Sequence, residues 1–347
     1  MEKITAAIIG LGRIASILED DSLREKPCTH AGAITANPDC ELVAGCDIDK
    51  ERRRIFADRW QLGDKVYADA ADMLSVHKPQ ILVIATHPDS HFYYCRLAAD
   101  FEVPVVVCEK PLADNVREAR KIAKLSKQGS LVRHAKRSSH TAPGRITILT
   151  NHERRYSENY MRAKEIIKSE KLGRLLSMRG LIYMGKRKRL LDVLWHDGTH
   201  LFDIIMFLTD SNLKHKKCWG SQLDASSGTA WLESSCISET GLAVPLVLEI
   251  GADRDHLVFE MEFSFEQGRL RIGNGVFEVW ESVSSPYAEN FRSLKMTEEV
   301  YTNPTGYFTN MMADAVACVK ERNRQPRSSA ADGLKVIEYL NSVKAWR

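Results

Sequence analysis

The chain has 347 residues, which at roughly 150 residues per domain indicates about two domains. Its hydrophobic share of 44% and charged share of 27% are those of an ordinary globular protein. The formal net charge of +3 excludes the strong global field that attracts nucleic acids or anionic membranes, so neither partner is expected.

The cysteines and the N-terminus indicate the compartment. The chain has 8 cysteines and no C-x-x-C pair, and several lie in apolar runs such as GCDID and VVVCEK. This pattern favours buried, reduced thiols over a disulfide framework or a zinc cluster. The start, MEKITAAIIGLGRIA, lacks a signal-peptide core, and no apolar run approaches the roughly 20 residues of a membrane span. We therefore expect a cytoplasmic protein.

Residues 1–150 repeat one unit, in which an apolar run, a turn and a helical stretch follow each other. Near-continuous β-branched runs are typical of strands buried on both faces of a parallel sheet. Helical spacing follows in KERRRIFADRW, HFYYCRLAAD and NVREARKIAKLSKQG, the last opening with Asn115 and Glu118 at capping-box separation. This alternation predicts an α/β domain with a doubly wound parallel sheet. The predicted strands are ITAAIIGL (4–11), ELVAGCD (41–47), ILVIATH (81–87), VPVVVCEK (103–110) and ITILTN (146–151).

From residue 151 to residue 347 the pattern changes to strands without helices between them, which predicts an α+β domain. After a helix over about 157–171, the segment HLVFEMEFSFEQ (256–267) alternates as a half-buried antiparallel strand does. Helices over about 305–322 and 329–345 close the chain, and the last of them can pack back on the first domain. The second of these begins at a Ser329–Asp332 capping box. The basic segment 130–145 is interpreted as a solvated insertion, against a phosphate or partner contact.

GLGRIA (10–15) follows the first predicted strand directly. In a dinucleotide-binding turn Gly10 permits the tight bend, and Gly12 lets the backbone approach a pyrophosphate. Ala15 replaces the third glycine. The pyrophosphate would lie at the helix N-terminus, where free N–H groups and the helix dipole favour an anion. The alternative is a plain glycine turn.

Asp47 ends the second predicted strand, where an acid should bind the adenosine ribose. It lies 47 − 12 = 35 residues beyond Gly12, whereas the usual spacing is about 20. We attribute the extra length to an inserted loop, SILEDDSLREKPCT. The negative charge of Asp47 repels a 2′-phosphate, which favours NAD over NADP. A cap for the next helix is the alternative, and Arg52 to Arg54 leave NADP open.

CEKPLADN (108–115) follows the run at 103–108. Ligands of such sheets bind outside the carboxyl ends of the strands, so Glu109 and Lys110 fall where cofactor meets substrate. Pro111 fixes the backbone and can hold Lys110 in one direction. The alternative is a surface lysine in a strand-to-helix turn.

These motifs together resemble the glucose–fructose oxidoreductase, inositol dehydrogenase and rhizopine-catabolism (Gfo/Idh/MocA) family. The matching stretches are GLGRIA, CDID, VIATHPDSHF, CEKPLADN, NHERRY (151–156) and GTHLFD (198–203), in that order. The resemblance implies a Rossmann domain followed by a domain with a large open, mostly antiparallel sheet, through which a homodimer or homotetramer forms. It implies NAD(P)-dependent oxidation or reduction of sugars and polyols. The family's lysine, beside a commonly cis proline, maps onto Lys110, and its catalytic histidine maps onto His200.

The cofactor site is assigned to four of these motifs. Its residues are Gly10, Gly12, Arg13, Ile14, Asp47, Thr86, His87, His91, Glu109 and Lys110.

WHDGTHLFD (195–203) places two histidines four residues apart and imitates the zinc motif H-E-x-x-H. Gly198 interrupts the spacing, which predicts a helix start. Zinc needs at least three protein ligands, and no clear third one stands out, since His152 and Asp203 are candidates only through the family pattern. We predict no metal, and favour a substrate acid/base site over structural histidines. Family members often have an aspartate four residues before the histidine, where this chain has His196 followed by Asp197.

The expected chemistry is reversible hydride transfer between a carbinol carbon and nicotinamide. His200 would exchange the hydroxyl proton, because a histidine titrates near neutral pH. Lys110 would stabilise the developing alkoxide, while His196 and Asp197 would orient or recharge His200. Alternatives are a glycosidase of the same fold that uses NAD transiently, a dinucleotide-binding regulatory protein and, last, a zinc hydrolase.

GKRKRLLDVLW (185–195) leads into this motif. The run from Lys186 to Arg189 is interpreted as a solvated face or as a site for an anionic sugar derivative. Arg154 and Arg155 of NHERRY could assist Lys186 in binding such an anion.

Overall fold

Two compact units make up the chain. One is formed by Met1–Tyr156 with Gly306–Ile337, and the other by Ser157–Thr305 with Glu338–Arg347. The structure is a computed structural model that describes residues 2–128, 146–185, 189–300, 305–321 and 323–344. The basic segment 130–145 and the residues Lys186, Arg187 and Lys188 lie outside the described residues.

The first unit contains a six-stranded parallel sheet with the order β3-β2-β1-β4-β5-β6. This is the strand order of a doubly wound dinucleotide-binding sheet, so the predicted fold class is confirmed. Every residue of β4 and β5 is buried, as expected for strands covered on both faces. The strands are β1 Ile4–Ile9, β2 Cys40–Cys46, β3 Val66–Tyr67, β4 Ile81–Ile84, β5 Val105–Cys108 and β6 Thr147–Thr150.

Helices alternate with these strands, and the first turns of four of the five helices are capped by short polar side chains. Asp49 accepts hydrogen bonds from the amides at the start of α2, and Asp69 does the same for α3. The predicted cap of α5 is confirmed, because Oδ1 of Asn115 accepts from the amide of Glu118 at 2.9 Å. The helices are α1 His30–Ala36, α2 Lys50–Trp60, α3 Ala70–His77, α4 His91–Asp100 and α5 Val116–Gln128.

The helix that follows the glycine turn is interrupted by an insertion. The amide of Ser16 donates to the carbonyl of Gly12 at 3.1 Å, which forms one helical turn. After a short 3₁₀ helix and a loop, the amide of His30 donates to the carbonyl of Ile14 at 3.1 Å. Helix α1 therefore continues the turn across the insertion. The predicted inserted loop is confirmed, and it explains the long spacing from Gly12 to Asp47.

The second unit contains an eight-stranded sheet with the order β14-β13-β12-β11-β7-β10-β9-β8. All neighbours are antiparallel except β7 and β10, which pair in parallel. The mostly antiparallel sheet is confirmed, and β11 alternates as predicted, with Phe259, Met261, Phe263 and Phe265 buried. The strands are β7 Leu175–Gly185, β8 Ser211–Gly220, β9 Gly228–Ser238, β10 Ala243–Arg254, β11 Val258–Phe265, β12 Gly268–Gly273, β13 Val276–Ser284 and β14 Arg292–Glu299.

A helical stretch in this unit carries the two spaced histidines. It consists of α7 Leu190–Asp192, a π-helical segment Val193–Gly198 and α8 Thr199–Thr209, and another helix, α6 Glu158–Lys168, precedes it in the chain. Helix α8 begins directly after Gly198, as predicted, but the backbone before it is also helical, because the π-helical segment leads into α8. The irregularity that the sequence pattern had indicated, a glycine between the two histidines, lies in a π-helical turn.

Helices α9 Tyr307–Lys320 and α10 Ala330–Lys344 close the described chain. The predicted capping box is confirmed: the amide of Ser329 donates to Oδ2 of Asp332 at 2.8 Å, and the amide of Asp332 donates back to Oγ of Ser329 at 3.3 Å. The apolar face of α9 completes the core around β1 and β5. Its contributing side chains are Phe308, Met311, Met312, Ala315, Val316 and Cys318. Among the residues that the structure describes, no helix is long and apolar enough to cross a membrane.

Candidate functional site

The glycine turn after β1 has the shape that a pyrophosphate requires. Gly10 has φ +85°, and a Cβ there would lie 2.7 Å from the carbonyl oxygen of Ala85, so only glycine fits. A Cβ on Gly12 would meet only Nη1 of Arg52, at 3.9 Å, so the space beside it is open. Within the described part of the chain, no group accepts a hydrogen bond from the amides of Gly12, Arg13 or Ile14. Open space and free amides at the start of a helical turn fit a bound phosphate.

Asp47 lies directly after β2 and is bound to this turn. Its side chain is nearly buried, and Oδ2 accepts from the amide of Leu11 at 2.8 Å while Oδ1 accepts from the amide of Asp49 at 2.9 Å. Each carboxylate oxygen retains a further lone pair for a ribose hydroxyl. Because Asp49 caps α2, the alternative of Asp47 as the helix cap is not needed. Nη1 of Arg52 lies 3.7 Å from Oδ2 of Asp47, so a cation also stands at this position.

The segment after β4 holds the next three predicted cofactor residues. Thr86 lies against the glycine turn, and its Oγ1 accepts a hydrogen bond from Oγ of Ser90 at 2.7 Å. His87 is exposed. His91 is fully buried, with Nδ1 3.2 Å from the carbonyl of Leu112 and Nε2 3.1 Å from the carbonyl of Thr86. Burial lowers the pKa of His91, although these backbone bonds oppose the shift. Both ring nitrogens of His91 thus lie within hydrogen-bond distance of backbone carbonyls, in the segments that follow β4 and β5.

Lys110 lies in the turn after β5, beside a network of buried polar side chains. The Lys110–Pro111 peptide bond is cis, and Lys110 is half-buried. The preceding carboxylate, Glu109, is nearly buried: its Oε1 lies 2.6 Å from Nε2 of His30 and 2.7 Å from Nδ2 of Asn151, and its Oε2 accepts from the amide of Lys110 at 3.2 Å. Burial by itself would raise the pKa of Glu109, but the hydrogen bonds from His30 and Asn151 bring it below its ordinary value.

Sequence reasoning missed His30 and Asn151. His30 is the first residue of α1, and the inserted loop separates it from the glycine motif. The motif therefore did not indicate that His30 belongs to the site. Asn151 follows β6, the strand that pairs with β5, and its place at the carboxyl edge of the sheet was the one available signal.

NHERRY follows β6, and its basic and acidic side chains have different surroundings. Arg154 directs Nη1 to the hydroxyl of Tyr307 at 3.5 Å. Arg155 is buried; its Nη1 donates to the carbonyl of Arg327 at 2.9 Å and lies 3.3 Å from Oδ2 of Asp332. Interactions within the protein thus account for Arg155, and the predicted substrate contact is not supported by its position. His152 is buried as well, with Nδ1 3.2 Å from Oγ of Ser328.

Glu153 is another member of this segment to which the sequence assigned no role. It is half-buried, and burial raises its pKa above the ordinary value. The charge of Glu109 adds to this effect, whereas Arg154, Lys110 and Arg24 oppose it. Glu153 therefore shares an electrostatic environment with Lys110.

In the second unit, the π-helical segment carries His196 and Asp197, and the first turn of α8 carries His200. His196 is exposed, and Asp197 and His200 are half-buried. A Cβ on Gly198 would lie 3.1 Å from the ring of Phe202, so this glycine allows close packing. Single π-helical turns occur frequently at functional sites. The described residues contain no group of three or more His, Cys, Asp or Glu side chains that could hold a metal ion.

Of the basic run before this segment, the structure describes Arg189. Its guanidinium donates to both carboxylate oxygens of Asp192, at 2.9 and 2.8 Å, and the contact lowers the pKa of Asp192. This pair lies at the start of α7 and is exposed on the arginine side.

Comparisons with known proteins match the same features. Residues 4–135 match the model of the Gfo/Idh/MocA oxidoreductase family, described as an NAD-binding Rossmann fold. Inositol 2-dehydrogenase of Salmonella typhimurium is 22% identical over 250 residues, which is 71% of this chain and 67% of that protein. The resemblance inferred from the motifs is confirmed.

Solved structures show the same fold over the whole chain. One is a putative NADPH-dependent oxidoreductase from Desulfitobacterium hafniense, with a TM-score of 0.76, 15% identity, and coverage of 100% of this chain and 96% of that one. Another is an oxidoreductase from Agrobacterium radiobacter in complex with NAD⁺, L-tartaric acid and magnesium, with a TM-score of 0.69, 17% identity, and coverage of 98% and 94%. The two-unit fold is therefore a known one.

Proposed function

Because this chain is related to the Gfo/Idh/MocA oxidoreductases through its NAD-binding Rossmann domain, we propose that it transfers a hydride between nicotinamide and a carbinol carbon of a sugar, polyol or sugar derivative. The observation that carries the proposal is the edge of the parallel sheet. There the free amides of the glycine turn, Asp47 and Lys110 all follow the carboxyl ends of strands. Ligands of such sheets bind at this edge.

The residues present fit a dinucleotide, and each has a part in the proposed chemistry. NAD, when bound, supplies the hydride acceptor or donor at nicotinamide C4. The amides of Gly12, Arg13 and Ile14 bind the pyrophosphate, and Asp47 binds the adenosine ribose. These are interactions that the free donors and the remaining lone pairs allow.

The acid–base part is assigned to Lys110 and His200. Lys110 donates a hydrogen bond to the reacting oxygen and stabilises the charge that develops when the hydroxyl loses its proton. His200 exchanges that proton, because an imidazole changes charge near neutral pH. His196 and Asp197 precede His200 on the same helical stretch and orient or recharge it.

NAD is proposed as the preferred cofactor. The carboxylate of Asp47 would repel a 2′-phosphate, and its place beside the glycine turn supports a ribose contact. Arg52, at 3.7 Å from that carboxylate, is the feature that would favour NADP.

For the substrate, a neutral sugar or polyol is better supported than an anionic one. Six basic residues were considered for an anion. Arg155 is bound to Asp332 and Arg189 to Asp192, while Lys186, Arg187 and Lys188 lie outside the described residues. Arg154 remains as the described candidate. Inositol 2-dehydrogenases, which are relatives of this chain, are named for a neutral polyol.

The test begins with paired titrations of the purified protein with NADH and NADPH, in which binding is monitored through energy transfer from tryptophan. Tight binding of NADH and weak binding of NADPH are expected. Turnover is then measured on neutral polyols and on their acidic counterparts, with NADH accumulation as the readout. Binding of neither nucleotide would overturn the redox proposal. Consumption of a glycoside without net NADH formation would point to a glycosidase that returns the hydride.

A further inference from the structure

The carboxylate of Glu109 is enclosed beside Lys110 and is held from three elements. His30 at the start of α1 and Asn151 after β6 both contact Oε1, while the amide of Lys110 donates to Oε2. An ionised carboxylate is stable in such a place only when hydrogen bonds replace the lost water. The network thus joins α1, β5 and β6 at the turn that carries Lys110.

His30 and Asn151 are themselves fixed. The amide of His30 donates to the carbonyl of Ile14, and its ring packs edge-on against Phe308 with ring centres 5.3 Å apart. The amide of Asn151 donates to the carbonyl of Cys108 at 2.8 Å. The backbones of both residues are therefore anchored, Asn151 to the end of β5 and His30 to the glycine turn.

The imidazole of His30 is a less stable occupant of this position than an apolar side chain would be. Its side chain is 0% exposed, and within the described residues its Nδ1 has no hydrogen-bond partner. A buried polar atom without a partner lowers stability, and an apolar ring or a leucine would fill the space without it. What the imidazole provides is the bond from Nε2 to Glu109.

We infer that His30 is a positioning residue for Lys110. Its Nε2–H group holds the carboxylate of Glu109, and the carboxylate in turn binds the amide of Lys110 and fixes the direction of the lysine. The inference deepens the proposed function, because it rests on Lys110 acting on the substrate. Misplacing a reacting group by about 1 Å can cost about 100-fold in rate.

The experiment uses the full chain and two substitutions of His30. His30→Gln retains a donor at the place of Nε2 and lacks a counterpart of Nδ1, whereas His30→Leu removes both. Asn151→Leu removes the other donor to Oε1 and serves if His30→Leu fails to fold. His77→Gln is the matched control, because His77 binds the hydroxyl of Tyr67 at 2.9 Å, outside this network.

Two readouts separate this inference from the proposed function. The first needs no substrate: the rate of acetylation of Lys110 by acetic anhydride, measured by mass spectrometry relative to exposed Lys50. The second is kcat and KM with NAD and the substrate found in the screen. We expect His30→Leu to acetylate at Lys110 several-fold faster than wild type and to lose about 10- to 100-fold in kcat with little change in KM. His30→Gln and His77→Gln should resemble wild type in both.

The inference is overturned if Lys110 is acetylated at the wild-type rate in His30→Leu, or in Asn151→Leu where that variant replaces it. It is also overturned if His30→Gln behaves like His30→Leu, since the Nε2 donor would then not be what matters. If wild type turns over no sugar or polyol, the proposed function fails, while the acetylation contrast still decides whether His30 positions Lys110.

Discussion

The amide of Leu11 donates a 2.8 Å hydrogen bond to Oδ2 of Asp47, although 36 residues separate them. The proposed phosphate-binding turn and the proposed ribose-binding acid are therefore one hydrogen-bonded structure. A change in Asp47 should alter both the position of the turn and the charge that a bound nucleotide meets.

Asp47→Asn should weaken NADH binding and reduce the discrimination against NADPH. The substitution removes the negative charge. It also places the side-chain NH2 group of asparagine against the backbone N–H of either Leu11 or Asp49, and two donors cannot form a hydrogen bond with each other. Hydrogen bonds to charged groups contribute about 1.5–3 kcal/mol, so the Kd for NADH should rise about 10- to 100-fold. Tryptophan fluorescence titrations with both nucleotides measure this. An unchanged NADH/NADPH ratio of affinities would remove Asp47 from cofactor selection.

Alanine at the two glycines of the turn should give opposite results. Gly10→Ala puts a Cβ 2.7 Å from a carbonyl oxygen at φ +85°, so the melting temperature should fall, by an amount equivalent to about 1–3 kcal/mol. Gly12→Ala meets only Nη1 of Arg52, at 3.9 Å, so the protein without cofactor should melt as wild type does while NADH binding is lost. Thermal melts and titrations on both variants check this. Unimpaired NADH binding by Gly12→Ala would contradict a pyrophosphate at this turn.

Arg155→Met should lower stability without changing substrate preference. Arg155 is buried and bound to Asp332 and to the carbonyl of Arg327, so its removal leaves partners unmet at a cost of about 2–3 kcal/mol. Denaturant unfolding measures the loss. Arg154→Met is the neighbouring control, since it changes a residue still proposed for substrate binding. If Arg155→Met selectively weakened turnover of an acidic substrate, its structural assignment would be wrong.

Glu153→Gln should stabilise the protein at neutral and alkaline pH. The raised pKa of Glu153 means that the folded state holds its proton at pH values where the unfolded state, with an ordinary value of 4.5, has lost it. The wild-type carboxyl group therefore lowers stability progressively as the pH rises from 4.5 through the folded-state pKa. The gain from glutamine should be largest above that range and vanish below it. Melting temperatures of both proteins across this range test the sign.

Lys110→Met and His200→Phe should each reduce kcat, by about 100- to 10,000-fold, while NADH still binds. If both act in one proton-transfer step, the double variant should lose much less than the product of the single losses. Multiplicative losses would show that the two residues serve separate steps. Near-wild-type turnover in either single variant would end its assignment as catalytic.

Much of the first unit could be predicted from the sequence because buried parallel strands are continuous apolar runs. Four-residue strands such as Ile81–Ile84 stood out for that reason. Strand β3, Val66–Tyr67, has only two residues and is half-buried, so it leaves no pattern. The π-helical segment that ends at Gly198 was not predicted, because intrinsic propensity penalises glycine in a helix, whereas packing against Phe202 accommodates it here.

The candidate site was predictable only where a motif lies next to a strand end. Glu109 and Lys110 were found in this way, but the sequence could not indicate that Glu109 is buried and needs donors. His30, 79 residues away in the chain, supplies one through tertiary contact alone. His91 and Arg155 have residue types that favour ligand binding, but the sequence could not indicate that both are buried and bonded within the protein.

The first unit is discontinuous, and this affects how the protein can be made. The core around β1 and β5 is completed by Phe308, Met311 and Met312 of α9, which leave the ribosome long after the strands they cover. During synthesis the emerging sheet must keep an apolar face uncovered until the second unit has been translated. Because exposed apolar surface makes such intermediates prone to aggregate, slow translation or truncation before α9 should lower the soluble yield. A polypeptide ending at residue 156 is accordingly a poor choice for isolating the nucleotide-binding unit, and a version with α9 fused behind it is a better one.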